Sequence, residues 1–327
     1  MASIKYAALA AALLSSTQAS LYGESNVNHT CVLEPEILSC SSGANAKTAD
    51  TCCTETFGGL VLSTQFWQTY TGLESQGQLL PPRTWTLHGL WPDFCNGSYT
   101  QYCDLNRQFD PAPSPNTTTG LANGTVVPPY KGPGVDTFIT NFSRYDLLNY
   151  MNTYWINQGG SNEAFWAHEF SKHATCYSTF DVPCYGPNYV QHQEVIEFYE
   201  TAIKYYRRLP TWEWLNEVNI RPSNTTQYTL SDIQNQLASK YGAVPYIGCS
   251  GPKYNTTAAG KNSTDNGGTV VSEVWYYQHV AGRPQGGNSI PVNATTPNTT
   301  CAKAAKALWY YEMTPSSVRN TTIVPRK

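Results

Sequence analysis

The sequence predicts an α+β fold in which an antiparallel sheet is flanked by helices and stapled by disulfides. Three observations lead there. β-Branched and aromatic runs bounded by turn formers lie towards both ends of the chain, segments with apolar residues at helical spacing lie between them, and ten cysteines are spread from Cys31 to Cys301.

The elements follow in chain order. Residues 59–67 and 84–91 mix leucine, β-branched and aromatic residues with short polar interruptions, and both read as strands. Residues 145–155 and 189–209 read as helices, the second through Val195, Phe198, Ala202, Ile203, Tyr206 and Leu209. Ser231 is placed to cap a helix that runs to about Lys240 and is stopped by Gly242 and Pro245. Residues 243–249, 270–280 and 307–313 read as later strands. Polar stretches rich in Pro, Asn, Thr and Gly at 110–134, 251–268 and 283–300 read as surface loops inserted into a single domain spanning 20–327.

The first residues and the composition bound the function. One positive charge within Met1 to Lys5, an apolar run from Tyr6 to Leu14, and small residues at Thr17 and Ala19 form a secretory signal peptide over residues 1–19. That run is shorter than the roughly 20 residues a membrane-spanning helix needs, so no membrane partner is expected. In the oxidising compartment this implies, ten cysteines read as a framework of up to five bridges. Neighbouring Cys52 and Cys53 would pair with each other only under strain, so each is expected to reach a different part of the chain. Sequons begin at Asn28, Asn96, Asn116, Asn123, Asn141, Asn224, Asn255, Asn262, Asn293, Asn298 and Asn320, which predicts a glycan-coated surface. Charged residues make up only 13% of the chain and the formal net charge is −3, which excludes a polycation gripping nucleic acid by charge alone. A nucleic-acid ligand would have to be held at a local site.

Residues 162–176, NEAFWAHEFSKHATC, lack Gly and Pro and read as a helix. With His168 at zero and about 100° per residue, Lys172 falls at about 40°, Phe165 at about 60°, Glu169 at about 100° and His173 at about 140°. Trp166, Ala167, Phe170 and Ala174 share the opposite, packing arc. The other face thus gathers two of the six histidines, a glutamate, a lysine and a phenylalanine, more than a solvated surface needs. Zinc proteases place paired histidines at i and i+4, whereas these are at i and i+5, so no metal is expected. In WTLHGLWPD, residues 85–93, alternation puts His88 on the face opposite Trp85 and Leu87, free to enter a cleft. A core histidine satisfied by hydrogen bonds is the alternative, and it loses weight because a second histidine cluster exists for His88 to face.

WTLHGLWPD followed by FWAHEFSKHATC resembles the two active-site segments of the ribonuclease T2 family, secreted and vacuolar acid ribonucleases. The likeness extends to the cysteine order and covers about Cys31 to Met313, leaving the insert 110–134 and the tail after Met313 unexplained. It implies an endoribonuclease, monomeric and secreted or vacuolar, with no cofactor and no metal. Single-stranded RNA would be cut with little base specificity through a 2′,3′-cyclic phosphate. Such cleavage needs a base for the 2′-hydroxyl, an acid for the departing 5′-oxygen, and positive charge at the phosphate; imidazole, titrating near neutrality, suits the first two. The resemblance gives His173 as general base and His88 as general acid, with His168, Glu169 and Lys172 holding the phosphate and stabilising the transition state. Glu169 would either orient or charge an imidazole, or share a proton with the phosphate. Trp91, Asp93 and Tyr99 map onto a first base site and Phe165 onto a second. An ionised Asp93 accepts the amine of adenine or cytosine, and a Trp91–Tyr99 sandwich favours the larger purine, so adenine is the expected preference. The implied bridges are Cys31–Cys53, Cys40–Cys95, Cys52–Cys184, Cys103–Cys176 and Cys249–Cys301. A binding or toxin-like protein on the same scaffold, and a hydrolase of another phosphorylated substrate, remain the alternatives.

Overall fold

In the computed structural model, residues 21, 29–113, 117–122, 124–252, 268–295 and 299–319 are described. The signal-peptide segment, most of the 251–268 loop, and the sequon residues Asn28, Asn116, Asn123, Asn255, Asn262, Asn298 and Asn320 lie outside them.

The two leading apolar runs become strands β1 (Leu60–Phe66) and β2 (Thr86–Asp93), paired antiparallel. The long β-branched and aromatic run near the C-terminus is β5 (Thr269–Val280), and it is the hub of a seven-stranded sheet. It pairs with β1, with β4 (Tyr246–Pro252), with β6 (Ser289–Val292) and with β7 (Leu308–Trp309), which in turn holds β3 (Gln227–Tyr228). The order β2–β1–β5 places a residue of each of these three strands side by side, and the site below depends on it.

Two expectations need correction. The sheet is mixed, because β7 runs parallel to β5 while every other pair is antiparallel. β6 pairs with the far half of β5, whereas Leu308 of β7 pairs with Thr269, the first residue of β5, so β7 enters from the same end as β5 itself. The stretch 283–300, read as a loop from its Gly, Pro and Asn content, contains strand β6. Its edge position explains how it tolerates Pro291.

Helices α1 (Val135–Asn141) and α2 (Tyr145–Tyr154) precede α3 (Asn162–Lys172), and α4 (Gln193–Tyr206), α5 (Thr211–Asn216) and α6 (Leu230–Tyr241) follow. The short α1 and α5 were not legible. The packing arc read from the sequence is realised: Trp166, Ala167 and Phe170 of α3 are buried with Val195, Phe198 and Tyr199 of α4 against Val61, Leu87 and Leu90 of the sheet. A second core joins Trp67, Trp85, Tyr276 and Tyr310 to Leu215 of α5 and Leu237 of α6. Ser231 is not the cap: α6 opens at Leu230 with Thr229 at the N-cap, and Gly242 closes it at φ 95°, a left-handed conformation that glycine adopts freely. All ten cysteines are paired, in the five bridges the family resemblance implied.

Candidate active site

The site starts with an irregularity in β2. Thr64 pairs with Gly89 and Gln65 with Leu87, so His88 is an extra residue with no partner on β1. Such a bulge re-aims a side chain, and here it turns the imidazole away from the core face of Leu87. The Trp155 indole N–H holds the bulge from the helix side by donating to the His88 carbonyl at 2.7 Å. The His88 ring lies flat on Phe66, 3.8 Å between centroids, with Phe165 of α3 at 5.7 Å and Trp91 edge-on at 4.6 Å.

Helix α3 supplies the opposing groups. Ser161 caps it through a hydrogen bond from the Ala164 N–H, and the helical turn ends at Lys172. The sequence reading carried this helix to Cys176. Instead His173 sits at the break (φ −109°, ψ −52°), and a 3-10 turn, Ala174–Cys176, leads into the Cys103–Cys176 bridge. His173 keeps the helical bond of its N–H to the Glu169 carbonyl, and its ring stacks on Trp91, 4.9 Å apart and 17° from parallel.

Glu169 is the centre of the cluster. It is 1% exposed, its Oε2 accepts the Trp91 indole N–H at 2.8 Å, and its Oε1 lies 3.6 Å from His88 Nε2. Gly89 makes room for it: a Cβ there would lie 2.0 Å from Glu169 Oε2. Burial pushes the Glu169 carboxyl up to about 7. Burial likewise drives His88 and His173 well below the ordinary imidazole value, helped by the positive groups Lys172 and His168. His88 Nδ1 is buried without a hydrogen-bond partner, with Glu273 Oε2 of β5 at 3.9 Å. His168 turns its Nδ1 to Asp110 at 2.8 Å and keeps 28% of its side chain exposed, and half-buried Lys172 follows it by one turn. The structure therefore brings together His88, His168, Glu169, Lys172, His173, Trp91 and Phe165. Asp93 is half-buried at the end of β2, its carboxyl pushed up to about 7 by burial, and Tyr99 is 71% exposed beyond it. The one trio of metal-ligand side chains among the described residues, His29, Asp50 and Cys52, lies elsewhere and uses a sulfur already bonded to Cys184.

The model of the Ribonuclease T2 family matches residues 58–282, which include both histidine segments. The chain belongs to this family. Ribonuclease T2-like 1-A of Candida albicans is 34% identical to it over 90% of this chain and 61% of that protein. Ribonuclease Le2 of Lentinula edodes is 32% identical over 79% of this chain and 87% of its own length, and ribonuclease Trv of Hypocrea rufa 34% over 77% and 87%. Among solved structures, Actibind, a T2 ribonuclease, superposes with a TM-score of 0.64 at 28% identity, covering 85% of this chain and 96% of that one. The chain thus spans only 61% of the Candida albicans relative and 56% of the Aspergillus fumigatus one.

Beyond the T2 family motifs, the site draws on residues that sequence reasoning missed. Phe66 and Glu273 come to His88 through strand register, since Phe66 of β1 pairs with Glu273 of β5. Tyr102 and Asp110 come from segments without motif character. Gly89 alone was visible, inside WTLHGLWPD, as a position where a glycine interrupts a strand.

Proposed function

We propose that the protein is an exported, glycosylated, monomeric endoribonuclease that cuts single-stranded RNA through a 2′,3′-cyclic phosphate by histidine acid–base chemistry. The observation behind this reading is the Trp91-centred pair of imidazoles, His173 stacked on the indole and His88 at its edge, with the Glu169 carboxyl bonded to the indole N–H and 3.6 Å from His88. His173, its proton affinity lowered by burial, is neutral in mild acid and takes the 2′-hydroxyl proton. His88, in its protonated form, returns a proton to the 5′-oxygen. His168 and Lys172 meet the phosphate with positive charge, and Glu169, largely protonated below pH 7, orients His88 and can donate to a phosphate oxygen. No helix among the described residues is long and apolar enough to cross a membrane, and the described sequon residues Asn96, Asn141, Asn224 and Asn293 are exposed. Both fit an exported, sugar-coated chain. Asp93, Trp91 and Tyr99 form the first base site, with adenine preferred, and Phe165 belongs to the second.

The test is digestion of a short mixed-base RNA in chelator, with product termini identified by mass. Cyclic phosphate ends are expected, while DNA and 2′-O-methyl RNA, lacking the internal nucleophile, survive. His88→Ala and His173→Ala each lower turnover by roughly 10²–10⁴-fold. Comparable cleavage of DNA, or a double variant at the wild-type rate, would overturn the reading.

A further inference from the structure

The insert that begins at Asp110 has no counterpart in the motif resemblance, yet its first side chain reaches the catalytic helix. Asp110 is 2% exposed, and its Oδ2 accepts two hydrogen bonds, from His168 Nδ1 at 2.8 Å and from the Tyr102 hydroxyl at 2.7 Å. Its Oδ1 accepts the Ala112 N–H at 2.9 Å. Burial pushes this carboxyl up, but the hydrogen bonds from His168 and Tyr102 outweigh it and hold it below the usual carboxylate range.

The insert is built to keep that carboxylate in place. Its returning segment donates the Tyr130 N–H to the Asp110 carbonyl at 2.9 Å, and Gln108 ties the Asp110 and Pro128 carbonyls at 3.1 and 2.7 Å. Its tip forms a bridge between Thr118 and Val126 and docks on the neighbouring segment: the Gly120 N–H donates to the Gln101 carbonyl, and Gln101 Nε2 to the Thr118 carbonyl. Gly120 is required there, because a Cβ would lie 2.2 Å from Thr100 Oγ1. Tyr102, next in the chain, is anchored in turn by its N–H on the Lys172 carbonyl at 2.9 Å.

We propose that Asp110 is a positioning residue for the phosphate site and that the insert is its scaffold. By accepting the Nδ1–H of His168, Asp110 fixes the ring plane and balances the positive imidazolium, so that the Nε2–H on the far side of the ring meets the phosphate. Tyr102 stops the carboxylate from rotating away. The inference rests on the phosphate-holding role of His168 in the proposed function.

The experiment compares Asp110→Ala, Asp110→Asn, Asp110→Glu and His168→Ala on a dinucleoside phosphate, alongside the ¹⁵N chemical shifts of the His168 ring in labelled protein. Asp110→Ala is expected to lower kcat/KM by roughly 10- to 100-fold, the value of a hydrogen bond to a charged group, and mainly through KM because His168 grips the phosphate before reaction. Asp110→Glu should restore part of the loss, and the Nδ1–H signature of His168 should disappear in Asp110→Ala. Should that variant fail to fold, the isosteric Asp110→Asn decides: it keeps the shape, loses the charge, and should still raise KM. A wild-type KM in the folded Asp110 variants with His168→Ala impaired, or an unchanged ¹⁵N signature, overturns the inference. Unimpaired His168→Ala instead overturns the role of His168 on which it rests.

Discussion

The Glu169 carboxyl occupies space that any residue larger than glycine at position 89 would fill, with a Cβ 2.0 Å from Glu169 Oε2 and 2.6 Å from Trp91 Nε1. Gly89→Ala should therefore push Glu169 off its bond to Trp91 and lower kcat/KM by roughly 3- to 10-fold, the usual value of one neutral hydrogen bond. Unchanged kinetics with a folded variant would show that the carboxyl has another place to go. Asp93 gives a second prediction, and here burial changes what the sequence suggested. An ionised carboxylate only accepts, but a carboxyl pushed up to about 7 is protonated in mild acid and offers a donor beside an acceptor. That pair complements the amine and ring nitrogen of adenine, and an asparagine amide presents the same pair. Asp93→Asn should thus keep the adenine preference at acid pH, whereas Asp93→Leu should abolish it; relative rates on ApU, CpU, GpU and UpU measure both. Residues with motif spacing, such as His88, His168, Glu169 and His173, were legible because their chemistry is unusual for their local pattern. Asp110 and Glu273 were not, since a carboxylate in a polar insert or on a half-exposed strand looks like any solvated charge until register brings it to an imidazole.

Elements carry the site by holding both of its halves. The Cys103–Cys176 bridge joins the residue after Tyr102 to the 3-10 turn after His173, across a sequence separation of 73. The Cys249–Cys301 bridge, with a separation of 52, instead ties β4 to the connection before β7. Loop-closure entropy makes the two worth about the same, typically 2–4 kcal/mol each. Paired Cys→Ser variants should accordingly lose similar stability in urea titrations, yet the Cys103/Cys176 pair alone should lose activity under conditions where both remain folded. Equal activity in the two folded variants would show that the break at His173 needs no staple. Strands and long helices were legible because alternation and helical spacing are local properties. The direction of β7 was not, since two residues, Leu308 and Trp309, carry no directional signal and only their pairing with Thr269 and Val270 reveals it. The end of α3 was equally hidden: FSKHATC continues a helical pattern, and what stops it is the bridge at Cys176 and the packing of His173 on Trp91.

At the scale of the whole molecule, a chain that buries titrating groups in its candidate site becomes pH-sensitive in stability as well as in rate. Burial raises Asp93 and Glu169 to about 7, from ordinary values of 3.8 and 4.5. Between the unfolded and folded values the native state keeps protons that the unfolded chain releases, so stability falls as pH rises through that window. The buried imidazoles act oppositely: with His88 and His173 driven well below 6.5, the unfolded chain takes up protons in acid that the native state refuses. Their contribution is complete above the ordinary imidazole value and is lost only below it. The two effects therefore oppose each other in acid, and above about pH 6.5 only the carboxyls remain. The melting temperature should fall between about pH 6.5 and about pH 7.5, and Glu169→Gln, which cannot ionise, should flatten that fall. Thermal melts at the two pH values on the wild type and the variant measure this directly. A melting temperature that rises across the interval would mean that Asp93 and Glu169 are ionised in the native state, and the acidic, proton-holding character assigned to the carboxyl between His88 and Trp91 would have to be abandoned.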